Sequence, residues 1–307
     1  MTPAEFAKQH DALKKKGAEF DFSQFNKVIG GEKGPLFGLA VQRSQREVLF
    51  DALDAMHFSD DFVFDQPDQS AGVLQGPNSM AQLSSLGAPW DSIQWEQLAE
   101  CSEVIVGTAR VIRRSLTGDP GFLIWSEDEA LWNALEAKVS QAGGLFGESA
   151  NTALDALSLE AGWPKIGPDT LKKRLLPEFG LEQQAVSYTK GCYLGQEVIA
   201  RVRTYGSLPK AMRTVVFDLH RKGIEFTLEQ IPAPGEEVVA ADGSKVGFWG
   251  SRSISPLEEK PFAFAYLSKQ IRTPGTELTI WGNRGPMKAT VRMAPLYTSA
   301  DREARVA

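Results

Sequence analysis

The hydrophobic and polar positions divide the chain into two textures. From about residue 34 to residue 207, short β-branched or aromatic runs alternate with segments of helical spacing. From Pro209 onward short β-rich runs recur with turn residues between them. In the first texture Leu36–Val41 reads as a strand, and Ser44-x-x-Glu47 caps a helix to about Met56. Phe62–Phe64 and Val73-Leu74 read as two further strands. Gly76-Pro77-Asn78 then turns into a helix over Ser79–Leu86, and Glu103–Ile112 reads as a fourth strand. This β-α-β-β-α-β order predicts a ferredoxin-like subdomain.

Beyond the Thr117–Gly121 turn, Phe122–Trp125 reads as a short strand. Ser126-x-x-Glu129 caps a helix to about Gln141, and Asn151–Glu160 forms another, stopped by Gly162 and Pro164. Residues 163–187 read as a long ordered loop. The second texture predicts strands at Thr214–Phe217, Glu237–Ala240, Val246–Gly250, Phe262–Leu267, Glu277–Trp281 and Lys288–Met293, a small antiparallel barrel or sandwich. At the start, Thr2 to Glu5 is a capping box with Pro3 at the first helical position. It opens a short helix that Gly17 stops, and 18–33 reads as loop. The expected fold class is α+β, divided into an N-terminal segment 1–33, an α+β region 34–207, a barrel 208–298 and a tail 299–307.

Composition narrows the function classes. A chain of 307 residues with 42% hydrophobic content suggests about two domains with ordinary cores. A net charge of −6 argues against general nucleic-acid binding, which needs clustered Lys and Arg. No apolar run approaches the roughly 18 residues of a membrane span, and no secretory h-region is visible. The two cysteines, Cys101 and Cys192, make no disulfide framework and fit a reducing, cytoplasmic setting. His10, His57 and His220 lie far apart, so no metal site is expected.

The stretch richest in chemistry is Thr189-Lys190-Gly191-Cys192-Tyr193-Leu194-Gly195-Gln196-Glu197. Gly191 and Gly195 bracket the cysteine and allow sharp turns on both sides. Helical spacing over Gln196–Thr204 puts Cys192 just before a helix N-terminus, with Lys190 two residues away. Both features stabilise negative charge on a sulfur. The competing reading is a strand-to-helix turn with a buried cysteine as filler. Residues 190–222 also hold seven cations, Lys190, Arg201, Arg203, Lys210, Arg213, Arg221 and Lys222, against Glu197 and Asp218. They read either as an anion pocket or partner contact, or as a solvated helix face and domain junction. Lys172-Lys173-Arg174 reads as a solvated loop. Trp125, Trp132, Trp163, Trp249 and Trp281 could stack on an aromatic ligand or fill cores.

The run K-G-C-Y-x-G-Q-E resembles the signature of the YgfZ-type folate-binding family, relatives of the glycine-cleavage T-protein that support iron–sulfur enzymes. All seven specified positions, Lys190, Gly191, Cys192, Tyr193, Gly195, Gln196 and Glu197, are present. The wider chain, roughly 34–298, is similar to the aminomethyltransferases. Leu74-Gln75-Gly76-Pro77-Asn78 resembles their L-x-G-P-x turn, Arg114–Phe122 their R-x-x-x-T-G-E-x-G-F stretch, and Leu157–Gly162 their L-R-L-E-A-G run. The resemblance implies a tetrahydrofolate cleft, with Arg201, Arg203 and Glu160 as candidate cofactor-binding or bracing residues and Cys192 as the key functional residue. It implies iron–sulfur client or assembly proteins as partners, including tRNA-modifying enzymes, with no direct nucleic-acid contact.

Two departures bear on activity. Leu123 stands where the T-protein has the Glu that grips the pteridine, and Ser158 stands where it has an Arg associated with the folate tail. The family's opening G-x-D-A-x-x-F-L segment, which carries its catalytic Asp, is not recognisable, and the first 33 residues stand in its place. These changes point away from ordinary aminomethyl transfer. They leave a folate-dependent methyl or aminomethyl transferase and a scaffold with a decayed pocket as the alternatives.

Overall fold

The computed structural model describes residues 28–30, 37–38, 46–55, 63–65, 70–170, 175–193, 195–206, 208–218 and 227–297. Two compact units divide the chain, Met1–Asn151 and Thr152–Ala307. The expected helix over Thr2–Gly17, its capping box, the Ser44 cap, Lys172-Lys173-Arg174 and the tail lie outside the described residues.

In the first unit, β1 (Val28–Gly30), β2 (Phe37–Gly38) and β3 (Val63–Asp65) form an antiparallel sheet of order β2-β1-β3, with α1 (Arg46–Asp54) between β2 and β3. Thus β1 lies inside the segment expected to be loop. A second antiparallel sheet has the order β4-β7-β6-β5, from β4 (Ser70–Gln75), β5 (Glu103–Val106), β6 (Ala109–Arg113) and β7 (Gly121–Ser126). The single strand expected over Glu103–Ile112 is a hairpin. Val106 pairs with Ala109 across Gly107-Thr108, and Gly107 takes φ +62°, the conformation a tight hairpin turn demands. The sequence order β2-α1-β3-β4-α2-β5, with α2 at Ser79–Ser84, follows the expected β-α-β-β-α-β pattern, with its strands on two sheets.

One face of the four-stranded sheet is apolar and packed. Val111, Phe122 and Ile124 meet Leu83, Trp90, Trp95, Leu131 and Leu135. Trp95 lies edge-on to Phe122 with centroids 5.4 Å apart and donates its indole N–H to the Trp90 carbonyl at 3.1 Å. The polar handle of a buried tryptophan is thereby satisfied. Helix α3 (Glu129–Gln141) starts two residues later than Ser126-x-x-Glu129 suggested. Its cap is Asp128, whose carboxylate accepts from the Ala130 and Leu131 N–H groups, while Ser126 ends β7. Helix α4 covers Gly147–Glu160.

The second unit carries a nearly closed six-stranded antiparallel barrel of order β12-β13-β8-β11-β10-β9. Its strands are β8 (Lys210–Phe217), β9 (Glu237–Val239), β10 (Lys245–Ile254), β11 (Pro261–Ser268), β12 (Glu277–Gly282) and β13 (Gly285–Arg292). An isolated bridge between Ala240 and Ile280 joins the edges β9 and β12. The mixed α+β class with a C-terminal antiparallel barrel is the architecture expected from the sequence.

β11 is buried on both faces, which explains its unbroken apolar run Pro-Phe-Ala-Phe-Ala-Tyr-Leu. Ala263, Ala265 and Leu267 face the barrel interior with Val215, Phe217, Trp249 and Val291. Phe262, Phe264 and Tyr266 face outward and are covered by Leu159, Phe179, Leu296 and Tyr297. Burying each such aromatic contributes about 2–3 kcal/mol. The covering segment is not the plain loop expected over 163–187. It contains a 3-10 turn, Leu176–Phe179, and a short helix, α5 (Glu182–Ala185). Its other anchor is Asp169. Asp169 Oδ1 accepts from Ser251 N at 2.5 Å, Oδ2 accepts from Lys165 N at 2.7 Å, and Tyr266 donates its hydroxyl to the Asp169 carbonyl at 2.9 Å.

Candidate functional site around Cys192

The sequence after Gly195 folds as α6 (Gln196–Tyr205), matching the expected helix. Gly195 is its N-cap and takes φ +89°, and Gly206 closes it at φ +70°. Gly195 needs to be glycine because a Cβ disfavours that conformation. Gly191 does not: its φ is outside the left-handed region, and an added Cβ would meet open space. The chain thus bends on both sides of the cysteine, over 188–191 and at Gly195, but only the second bend requires glycine. Gly195→Ala is expected to cost about 1 kcal/mol and shift the thermal midpoint down, whereas Gly191→Ala leaves it unchanged; differential scanning calorimetry of the two variants checks the contrast.

Cys192 is exposed, which removes the reading of a buried filler. It stands four residues ahead of the first residue of α6. The Lys190 ammonium lies over the Tyr193 ring, 4.7 Å from its centroid, a cation–π contact. The Tyr193 hydroxyl is buried without a hydrogen-bond partner among the described residues. Gln196 N donates to the Tyr193 carbonyl at 3.2 Å, tying the motif's turn to the helix start. Glu197 and Arg201 pair on the exposed helix surface at 2.7 Å, i to i+4, a contact worth a few tenths of a kcal/mol.

A second layer was not visible in sequence. Tyr188 donates its hydroxyl to Glu182 of α5, and the Arg203 guanidinium stacks 4.1 Å from the Tyr188 ring centroid. The hydrogen bond to Glu182 raises the Tyr188 pKa, because the carboxylate prefers the protonated phenol. Lys190, Cys192, Tyr193, Glu197, Arg201 and Arg203 thus lie on one continuous segment, with Tyr188 joining α5 to α6. No signal in the sequence pairs Glu182, in the stretch read as loop, with Tyr188 just beyond it.

Glu160 sits elsewhere. It is fully buried at the end of α4, accepts from the Ser255 hydroxyl, and its backbone carbonyl takes the Leu296 N–H at 2.8 Å. These contacts brace α4 against the barrel-bearing unit's Ser255 and Leu296 segments. Gly162, at φ +93°, sits so close that a Cβ would lie 2.8 Å from the Ala294 Cβ. Of the tryptophans, Trp249 is barrel core, whereas Trp281 on β12 is 47% exposed. Trp132 packs against Gly72, where a Cβ would come within 2.6 Å of its ring.

Two of the resemblance motifs dock on each other in the first unit. Gln75, before the Gly76 turn, donates to the Arg114 carbonyl at 2.9 Å and accepts from Leu116 N at 2.8 Å. Gly121 leaves the space for that amide, since a Cβ there would lie 2.2 Å from it. Leu123 sits in β7 opposite Val73 and Ile112, and Ser158 lies in α4.

Residues 221–298 match the family described as glycine cleavage T-protein C-terminal barrel domain. Over a longer stretch the chain is similar to an aminomethyltransferase of Symbiobacterium thermophilum, 30% identical over 246 residues, covering 76% of this chain and 62% of the relative. An aminomethyltransferase of Frankia alni is 30% identical over 241 residues, covering 75% and 60%. The chain therefore spans less than two thirds of these relatives' length. Among solved structures, the glycine cleavage system aminomethyltransferase T of Bartonella henselae shares the fold with a TM-score of 0.64 at 17% identity, over 91% of this chain and 74% of that one. Sequence and fold together support a relationship to the aminomethyltransferase superfamily, with residues 221–298 as its T-protein-type barrel.

Proposed function

We propose that this protein is a tetrahydrofolate-binding accessory factor that supports assembly or repair of iron–sulfur clusters, including those of tRNA-modifying enzymes. In this reading residues 34–207 form the folate-binding region, 208–298 the barrel, and Cys192 is the functional residue. The observation that carries it is the exposed Cys192 in an intact K-G-C-Y-x-G-Q-E run. An exposed thiol two residues from Lys190 and four ahead of a helix can act as a nucleophile or a soft ligand, which a core cysteine cannot. Leu123 supports an accessory role over transfer, since an aliphatic side chain cannot pair with a pterin amidine.

The second reading, a folate-dependent methyl or aminomethyl transferase, is favoured by the names of the relatives at 30% identity. Both readings place the protein in the cytoplasm. Among the described residues no helix is long and apolar enough to cross a membrane.

Calorimetric titration with tetrahydrofolate is expected to show saturable binding, with no product from a one-carbon donor. Absence of binding at about 1 mM ligand, a bound state worth only about 4 kcal/mol, would remove folate from both readings. Turnover with the donor would select the transferase.

A further inference from the structure

Helix α6 exposes an apolar stripe beside the Cys192 motif. At about 100° per residue its side chains divide into two faces. Gln196, Ile199, Ala200 and Arg203 share one; the first three are half-buried, and Arg203 stacks on Tyr188. Val198, Arg201, Val202 and Tyr205, spaced i, i+3, i+4 and i+7, share the other. Val198 is 47% and Tyr205 81% exposed, and the Arg201 side chain is 71% exposed. The helix packs on the Leu176–Phe179 turn, yet none of its residues is buried. Glycines end it on both sides, Gly195 and Gly206. A ten-residue helix is marginal alone in water, so α6 depends on these ends and on its packed side. Neither needs valine or tyrosine on the open side, which in a solvated helix is polar.

The charge around the stripe sets the sign of what covers it. From Val198 to Phe217 the chain has no carboxylate, although its net charge is −6. Of the seven cations of residues 190–222, Arg203 is stacked, Lys210 lies over Phe248, and Arg213 donates to the Met212 and Arg272 carbonyls. Arg221 and Lys222 are outside the described residues. Lys190, two residues before Cys192, and Arg201, in the stripe, are exposed. Arg201 is paired with Glu197, but an ion pair so exposed is worth little and exchanges readily for a better one. One cation on the open face is too few for a nucleic-acid backbone, whose affinity grows with the number of phosphates neutralised. Tyrosine and arginine are instead the residues that protein interfaces concentrate, and i, i+3, i+4, i+7 is the spacing by which a helix enters a groove.

We propose that the Val198, Arg201, Val202 and Tyr205 face of α6 docks the protein that Cys192 serves, a partner with an apolar groove rimmed by carboxylates. Val198 and Tyr205 are the anchors, and Arg201 takes a carboxylate of the rim in place of Glu197. The helix starts four residues after Cys192, and the Gln196 N–H bond to the Tyr193 carbonyl ties the motif to its first turn. At 1.5 Å per residue α6 is about 15 Å long, so a partner seated on it is held within reach of the thiol. The proposal rests on the accessory reading of Cys192 and is independent of folate.

The test is complementation by the full chain in a strain lacking the gene, scored by a [4Fe–4S] enzyme and thiolated tRNA. The double variant Val198→Ser, Tyr205→Ala is expected to restore no more than about a tenth of what the parent restores. Arg201→Glu should fail similarly, whereas Arg201→Lys and Arg284→Glu, a charge reversal at an exposed turn of the barrel, should match the parent. The purified variants should keep the parental thermal midpoint, and their two exposed thiols should react with a chromogenic disulfide as the parent's do, so that a loss reports docking. Full restoration by the double variant overturns the docking face and leaves the role of Cys192 standing. Full restoration by Arg201→Glu overturns the acidic partner. A parent dimer in sedimentation, or a gel shift of total tRNA, that the double variant abolishes assigns the face to a second copy or to nucleic acid and overturns the proposal. If the parent itself restores neither activity, the accessory reading falls and this inference with it.

Discussion

Asp169→Ala is expected to destabilise the barrel-bearing unit by about 3 kcal/mol, lowering its thermal midpoint by roughly 10 °C. Asp169 is 1% exposed, and its carboxylate accepts from two backbone N–H groups, Ser251 in β10 and Lys165 in the covering segment. Each orphaned buried donor costs about 1–3 kcal/mol. Gly250 shows how closely the two elements meet, since a Cβ there would lie 2.3 Å from Asp169 Oδ1. Asp169→Asn is milder, about 1–2 kcal/mol, because one carbonyl oxygen serves one N–H and the amide faces the other.

The pH dependence follows from the same burial. Desolvation raises the Asp169 pKa, more than its hydrogen bonds to Ser251 and Lys165 lower it. The native state therefore holds this proton to a higher pH than the unfolded chain does. Stability from Asp169 is fully present below the unfolded value, about pH 4, and declines as pH rises through the raised native value. Urea midpoints of the parent and Asp169→Asn should thus lie furthest apart in acid and converge toward neutrality. A gap that widens with pH would show the opposite shift.

Much of the barrel was legible because its strands alternate and its turns are marked by Gly and Pro; each expected strand overlaps an observed one. The misreadings share a cause. Glu103–Ile112 has an unbroken β-branched texture, so its hairpin depends on Gly107 alone. Residues 163–187 lack periodicity because they cover the outside of β11 through single anchors, Asp169 and Phe179, rather than through a repeating face. At the candidate site, Cys192 and the α6 boundary follow from local spacing. The Tyr188–Glu182 pair arises from tertiary approach, which no local pattern encodes. Glu160 stands out in sequence by its motif, whereas its burial and its bond from Ser255 arise from tertiary packing.

Cys192→Ala is expected to abolish function while leaving the fold intact. The thiol is exposed, so its removal changes stability by no more than about 0.5 kcal/mol. Tetrahydrofolate binding should persist, because neighbouring side chains and backbone are unchanged. In a strain lacking the gene, the parent should restore a [4Fe–4S] enzyme and thiolated tRNA, and Cys192→Ala should restore neither. Cys192→Ser should fail as well. At neutral pH a hydroxyl supplies neither the nucleophilicity nor the soft ligand character of sulfur. Were the site a transferase that only holds folate, Cys192→Ser would keep turnover. Were the chain a scaffold, Cys192→Ala would complement fully, and the proposed role of this cysteine would fall with it.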